Sequence, residues 1–361
     1  MSSRLPPVRV ARAATSARTA MQGLTRRMVP PQVGVLELVS GLIGANTAYA
    51  LARLGVADEL AAGPRTGADV AAGLGTHPDA THRLMRAAAG LGLLRQDGDT
   101  FALTPLGQTM RSDVDGSMRA VVLMIGDPRY QSVWGRLPEA ITTGTAQAEA
   151  VHGMSMWELL DRERDYADIF HEAMSRLTAL DWPTVAAAYD FAPFRRIVDV
   201  GGGQGQLLAL MLGAAPQADG VLLEQHALLP VAERRLREAG VLDRCRLEAG
   251  SFFDRVPDDG DLYVLRRVVH DLDDDRALAL RSTVRDHAPA DATLLLMEGV
   301  VAPGSGPDFT KSLDLDMLLF VGGRERTEQE YAALLERAGF RMTRVVPTIS
   351  TISLVEARPA A

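Results

Sequence analysis

The sequence holds 361 residues, nearly half of them apolar, with a mean hydropathy close to zero, which leaves room for two domains with separate cores and suits a soluble globular protein. Its net charge of −8 hides an asymmetry: the first 32 residues carry six arginines (Arg4, Arg9, Arg12, Arg18, Arg26, Arg27) and no acid, so the remainder has 32 basic against 46 acidic residues, or −14. Such a body repels nucleic acid and anionic lipid, and apolar runs such as residues 120–125 fall far short of the ~20 needed to cross a bilayer, so neither nucleic acid nor membrane is an expected partner.

Residues 1–32, also rich in Ser, Thr and Ala, have the composition of either an organelle transit peptide or a disordered extension. Lys311 is the only lysine in the chain; that skew towards arginine is typical of a GC-rich, bacterial-type genome and favours the extension. Cys245 is the only cysteine, which excludes an intrachain disulfide and a cysteine-based zinc cage. With no apolar signal core before the fold, a reducing cytoplasm is the expected compartment.

Ordered structure is expected from Val33. Residues 35–54 read as a long helix, apolar on most faces and therefore buried against something large. Thr66-Gly67-Ala68-Asp69 opens a short helix through Leu74, and a third helix covers residues 79–91. Asp97-Gly98 is a hairpin turn signal between two short strands spanning residues 94–103. Three helices and a hairpin outline a winged helix, which raises the question of DNA binding. The third helix offers His82, Arg83 and Arg86 among apolar residues, and the wing would turn Asp97 and Asp99 towards phosphates. A structural or dimerising role fits better. Helical segments continue past Trp157 and Phe170 to a first domain boundary near residue 185.

From residue 186 strands alternate with helices. The strands are expected at 196–200, 221–224, 244–249, 262–265 and 293–298, with helices at 206–214, 228–239, 276–286 and 328–338. Runs at 341–346 and 351–356, separated by Pro347, form a terminal hairpin. The fold class is therefore α/β: a Rossmann-like doubly wound sheet with an antiparallel C-terminal hairpin, preceded over residues 33–185 by a mostly α, winged-helix-like domain.

Val198-Asp199-Val200-Gly201-Gly202-Gly203-Gln204-Gly205 follows the first of these strands and precedes a helix, the setting of a nucleotide-binding loop at the ligand edge of an open sheet. The dinucleotide pattern fails, because the sixth position from Gly201 is Gln206. A cofactor without phosphates suits the loop better, and Glu224, ending the second strand, is placed to accept hydrogen bonds from the hydroxyls of a ribose. Among the seven histidines, His270 stands apart because it follows the fourth strand at that edge.

The glycine loop, Arg266-Arg267-Val268-Val269-His270-Asp271-Leu272-Asp273-Asp274 and Gly322-Gly323-Arg324-Glu325-Arg326-Thr327 occur in this order. Together they resemble the S-adenosylmethionine-dependent O-methyltransferases of the plant caffeate type and actinomycete polyketide type, over most of the chain from Val33 onward. The resemblance implies a front half that makes a homodimer and a back half that binds S-adenosylmethionine. It implies that Gly201 and Gly203 line the methionine moiety, that Glu224 holds the ribose and that Phe252 packs on the adenine. Ser251 stands where the family has an acid, which puts a hydrogen bond to the adenine amine in question. Arg266 takes a position often held by lysine, where it either meets the cofactor or is a surface charge.

The implied reaction transfers a methyl group to a hydroxyl of a small aromatic molecule. A phenol has a pKa near 10, so a base helps, and imidazole is suited to that work near neutral pH. His270 is the expected base, with Glu298 and Glu325 as the carboxylates that orient it. Asp271, Asp273, Asp274 and Asp275 suit a helix N-terminus better than a magnesium site, leaving Asp271 as a candidate contact to substrate and no expected metal. Phe170 with Met174 and Met317 with Phe320 are pocket candidates by the resemblance and core candidates by their helical spacing. An N- or C-methyltransferase, an enzyme drifted to another reaction, and a DNA-binding ligand sensor are the competing readings.

Overall fold

The computed structural model describes residues 21 and 28–360. Most of the basic tail expected over residues 1–32 therefore lies outside the described residues. Contacts divide the chain into two units: one runs up to Ser132 and includes Leu160–Leu177, the other comprises Val133–Leu159 and the chain from Thr178.

The first unit opens with helix α1 (Pro31–Leu54), started by proline at its first turn and ended by Gly55 in the left-handed conformation, φ 79°. Next come strand β1 (Arg65–Thr66), α2 (Gly67–Leu74) and α3 (Pro78–Gly90). The hairpin of β2 (Leu94–Asp97) and β3 (Thr100–Leu103) follows, with β1 added to its free side in the order β1-β3-β2. The Thr66 hydroxyl caps α2 by accepting from the Asp69 N–H. Leu51, Val70, Met85 and Phe101 form the centre of this unit's core. Helix α4 (Arg119–Gly126) packs Val121 and Met124 around Ala173 of α5 (Arg164–Ala188), the long helix whose last turns, from Thr178, belong to the second unit.

Helix α1 departs from expectation. Only Leu51 and Ala52 near its end are buried, while Val35, Leu36, Leu38, Val39, Leu42 and Ile43 are exposed. It is also the one helix among the described residues long and apolar enough to cross a bilayer by length and composition. Single polar residues such as Glu37 and Ser40 interrupt its apolar run without lowering the average much.

In the second unit β4 (Arg196–Val200), α6 (Gln206–Ala214), β5 (Asp219–Glu224), α7 (Leu229–Glu238), β6 (Cys245–Ala249), β7 (Leu262–Arg266), α8 (Asp274–His287) and β8 (Thr293–Glu298) alternate. Then come α9 (Phe309–Val321), α10 (Glu328–Arg337), β9 (Phe340–Pro347) and β10 (Ser353–Pro359). The seven-stranded sheet has the order β6-β5-β4-β7-β8-β10-β9. β6 to β8 are parallel, and β10 enters antiparallel between β8 and β9. On one face Val198, Val200, Leu265 and Leu294 meet Leu280 of α8 and Tyr331 and Leu335 of α10. On the other, Ile197, Leu222, Val264 and Leu295 meet Val185 of α5, Met211 of α6 and Leu236 of α7. β10 begins two residues later than expected, because the Thr348 and Ser350 hydroxyls accept from the Ser350 and Ile352 N–H groups and draw Thr351 into a turn.

Candidate active site

At the carboxyl edge of β4 the chain needs three left-handed residues in quick succession: Gly201 (φ 69°), Gly203 (φ 58°) and Gly205 (φ 74°). A Cβ on Gly201 would come within 3.2 Å of Val268 and 3.3 Å of the Phe252 ring. The Gly203 N–H donates to Glu224 Oε2 at 2.9 Å, tying the loop to the end of β5. Burial raises the Glu224 carboxyl above its usual range. Phe252 lies against this loop, whereas the Ser251 hydroxyl is exposed and accepts from the Phe253 N–H, closing its own turn.

Arg266, the last residue of β7, is no surface charge. Its Nη2 lies 2.8 Å from Asp181 Oδ2 on α5, and the two side chains are 9% and 8% exposed. On the same sheet face Asp199 is 1% exposed with its Oδ2 unpartnered, and burial pushes its carboxyl up to about 7.

The acidic pocket around His270 is built from four chain segments. A single turn of 3-10 helix after β7 buries the imidazole, 4% exposed. Nδ1 is 2.7 Å from Glu325 Oε1 and 4.0 Å from Glu298 Oε2, while Nε2 is 3.4 Å from Asp271 Oδ1. Glu298 Oε1 is itself held by the Val268 and Val269 N–H groups at 3.0 and 2.9 Å. The Glu325 N–H donates to Asp314 Oδ1 of α9 at 2.8 Å. Burial lifts the Glu325 carboxyl to about 8 and Asp271 to about 6. It raises Glu298 as well, with His270 acting in the opposite sense.

Two glycines make this packing possible. A Cβ on Gly299 would lie 2.7 Å from Glu325 Oε2, and one on Gly323 would overlap the His270 carbonyl oxygen. That carbonyl accepts from the Arg324 N–H at 2.8 Å. Arg326, fully buried, donates to the Val269 and Leu272 carbonyls and to Asp274, fixing the backbone on both sides of His270. Arg267 is the only described non-glycine residue with positive φ, 52°, and its strained backbone turns the chain from β7 towards the histidine. The acidic run after His270 has separate duties: the Asp273 carboxylate caps α8 by accepting from the Arg276 N–H at 2.8 Å.

The second unit thus brings His270, Asp271, Glu298 and Glu325 together at one end of the sheet, with the glycine loop, Glu224, Phe252 and Arg266 at the same edge. Met317 and Phe320 lie on α9, Phe320 buried and Met317 half-buried. Phe170 and Met174 belong to the first unit and pack on Val121, Met124 and Ala173. Asp181, Gly299 and Gly323 were missed, since their partners are remote in sequence, and Asp314 was missed although Glu325 follows it by 11 residues; only the close spacing of Gly322 and Gly323 before Glu325 was a signal.

Residues 134–341 match the model of the O-methyltransferase domain, and residues 36–113 match the O-methyltransferase dimerisation domain. The chain belongs to the S-adenosylmethionine-dependent O-methyltransferases. This methyltransferase is 36% identical over 332 residues to the phenazine O-methyltransferase of Lysobacter antibioticus, covering 92% of this chain and 97% of that one. It is 36% identical over 319 residues to the 8-amino-8-demethylriboflavin N,N-dimethyltransferase of Streptomyces davaonensis, covering 87% and 91%. An O-methyltransferase of neocarzinostatin biosynthesis, solved with S-adenosylmethionine and 2-hydroxy-5-methyl naphthoic acid, superposes with a TM-score of 0.76 at 33% identity, covering 88% and 96%.

Proposed function

We propose that this methyltransferase methylates a hydroxyl of a small aromatic molecule with His270 as the general base. The observation that carries the reading is the contact of His270 Nδ1 with Glu325 at 2.7 Å inside a buried acidic pocket. In its ionised form Glu325, whose carboxyl burial raises to about 8, accepts from Nδ1–H and selects the tautomer whose Nε2 receives a proton. Asp271, 3.4 Å from Nε2, then stabilises the imidazolium once the acceptor's hydroxyl proton has arrived. Glu298, anchored by two backbone N–H groups, adds negative charge behind the ring.

Bound S-adenosylmethionine would supply a methyl group already activated by positive sulfur. The residues present fit it: Gly201 has no Cβ to fill the cradle, the Glu224 carboxylate suits ribose hydroxyls, and Phe252 offers an apolar face to adenine. Met317 and Phe320 of α9 are proposed to border the acceptor. The exposed apolar face of α1 lies largely within the region matching the dimerisation domain, so we infer a homodimer in which a second copy covers it.

The likeness to a dimethyltransferase acting on an amine favours a second reading, N-methylation. An amine acceptor has no comparable need of a base, so the two readings separate experimentally. Labelled cofactor is offered with matched hydroxy- and amino-aromatics to the wild type and His270→Ala. Turnover of phenols should fall by ~100-fold or more while cofactor affinity stays nearly unchanged. Undiminished phenol turnover, or transfer confined to amines, would refute the proposal.

A further inference from the structure

We propose that Asp181 is a positioning residue that, by neutralising Arg266, lets the cofactor site favour a cationic sulfonium over the neutral thioether left after transfer. The inference rests on the reading that this edge of the sheet binds S-adenosylmethionine. It starts from register. Asp199 of β4 pairs with Val264 of β7, so Arg266 stands two residues further along, level with Gly201 of the loop. Alternation puts Arg266 on the same sheet face as Asp199, the face where Leu222 and Val264 are packed.

Three buried ionisable side chains lie there: Asp199, Arg266 and Asp181, the last reaching Arg266 from α5 at 2.8 Å. Arg267, next in the chain, adds a positive charge to the neighbourhood, and Glu298 a negative one. A guanidinium almost out of water is strongly unfavourable without a partner. It would also repel any cation bound at the same edge. With Asp181 in place the pair is neutral, and the carboxyls of Asp199 and Glu224 on the same face are the groups left to set its charge.

Sulfonium and thioether forms of the cofactor share the adenosine and the amino-acid end and differ by one positive charge. Changing the net charge of the protein around them therefore alters one affinity and spares the other. Loss of packing or of loop geometry would weaken both alike.

The test measures binding of S-adenosylmethionine and S-adenosylhomocysteine separately by calorimetry to the wild type, Asp181→Asn and Arg266→Gln. Asp181→Asn should weaken the sulfonium on the order of tenfold more than the thioether, as the loss of one negative charge from a partly buried site does. Arg266→Gln should shift the ratio the opposite way by a similar factor, and it carries the test if Asp181→Asn fails to fold. A ratio unchanged in Arg266→Gln, or equal losses for both ligands in Asp181→Asn, overturns the inference and leaves the functional reading intact. A wild type that binds neither compound refutes that reading instead.

Discussion

Helix α1 and strand β8 are both strongly apolar, yet they meet opposite fates within one chain. Thr293–Glu298 is buried at every position, whereas most of the first two-thirds of Pro31–Leu54 is exposed. The strand's partners, β7 and β10, are supplied by its own chain, and the helix ends its burial at Leu51 and Ala52. Apolar content therefore identifies a surface that needs covering without saying whether the cover comes from the same chain.

Substitutions on the two sides sharpen that contrast. The largest effect should come from the crowded side: Gly323→Ala places a methyl group against the His270 carbonyl oxygen, which only backbone movement can relieve. It should lower stability by about 2 kcal/mol or more and abolish methyl transfer, read from urea unfolding and turnover. Native stability and activity would show that the backbone there is not tightly set. A smaller effect on folding is expected from the exposed side. Leu38→Glu with Ile43→Glu should leave each chain folded but convert a dimer of about twice 38.8 kDa to monomer, read by light scattering. A wild type that is monomeric would break the comparison itself.

The smallest effect concerns Asp199. Its carboxyl is pushed up to about 7 by burial, so its contribution to stability is complete below the ordinary range near 4 and is lost as pH rises through about 7. Asp271 and Glu325, raised to about 6 and about 8, act in the same direction. The unfolding midpoint should fall between pH 5 and 8. Asp199→Asn should gain on the wild type as pH rises, and a gain towards low pH would contradict the assignment.

Much of the second unit was legible because its order is written locally. β4, α6 and β8 lie where periodicity and turn residues put them, and His270, Glu298 and Glu325 converge although 55 residues separate the first from the last. That convergence came from motif resemblance, as no local pattern encodes it. Asp181 stayed unread for the same reason: a single aspartate on an amphipathic helix has nothing to announce an arginine 85 residues away. The exposure of α1 in the single chain was not legible, because periodicity reports composition and leaves the partner unspecified.

The insertion of β10 between β8 and β9 has a consequence for biosynthesis. Until Ser353–Pro359 has left the ribosome, β8 has no neighbour beyond β7, and Glu298 at its tip lacks the backbone of Ser353 beside it. The nascent chain must therefore carry an unsatisfied apolar strand edge through synthesis of α9 and α10. That interval is when chaperones have most to protect.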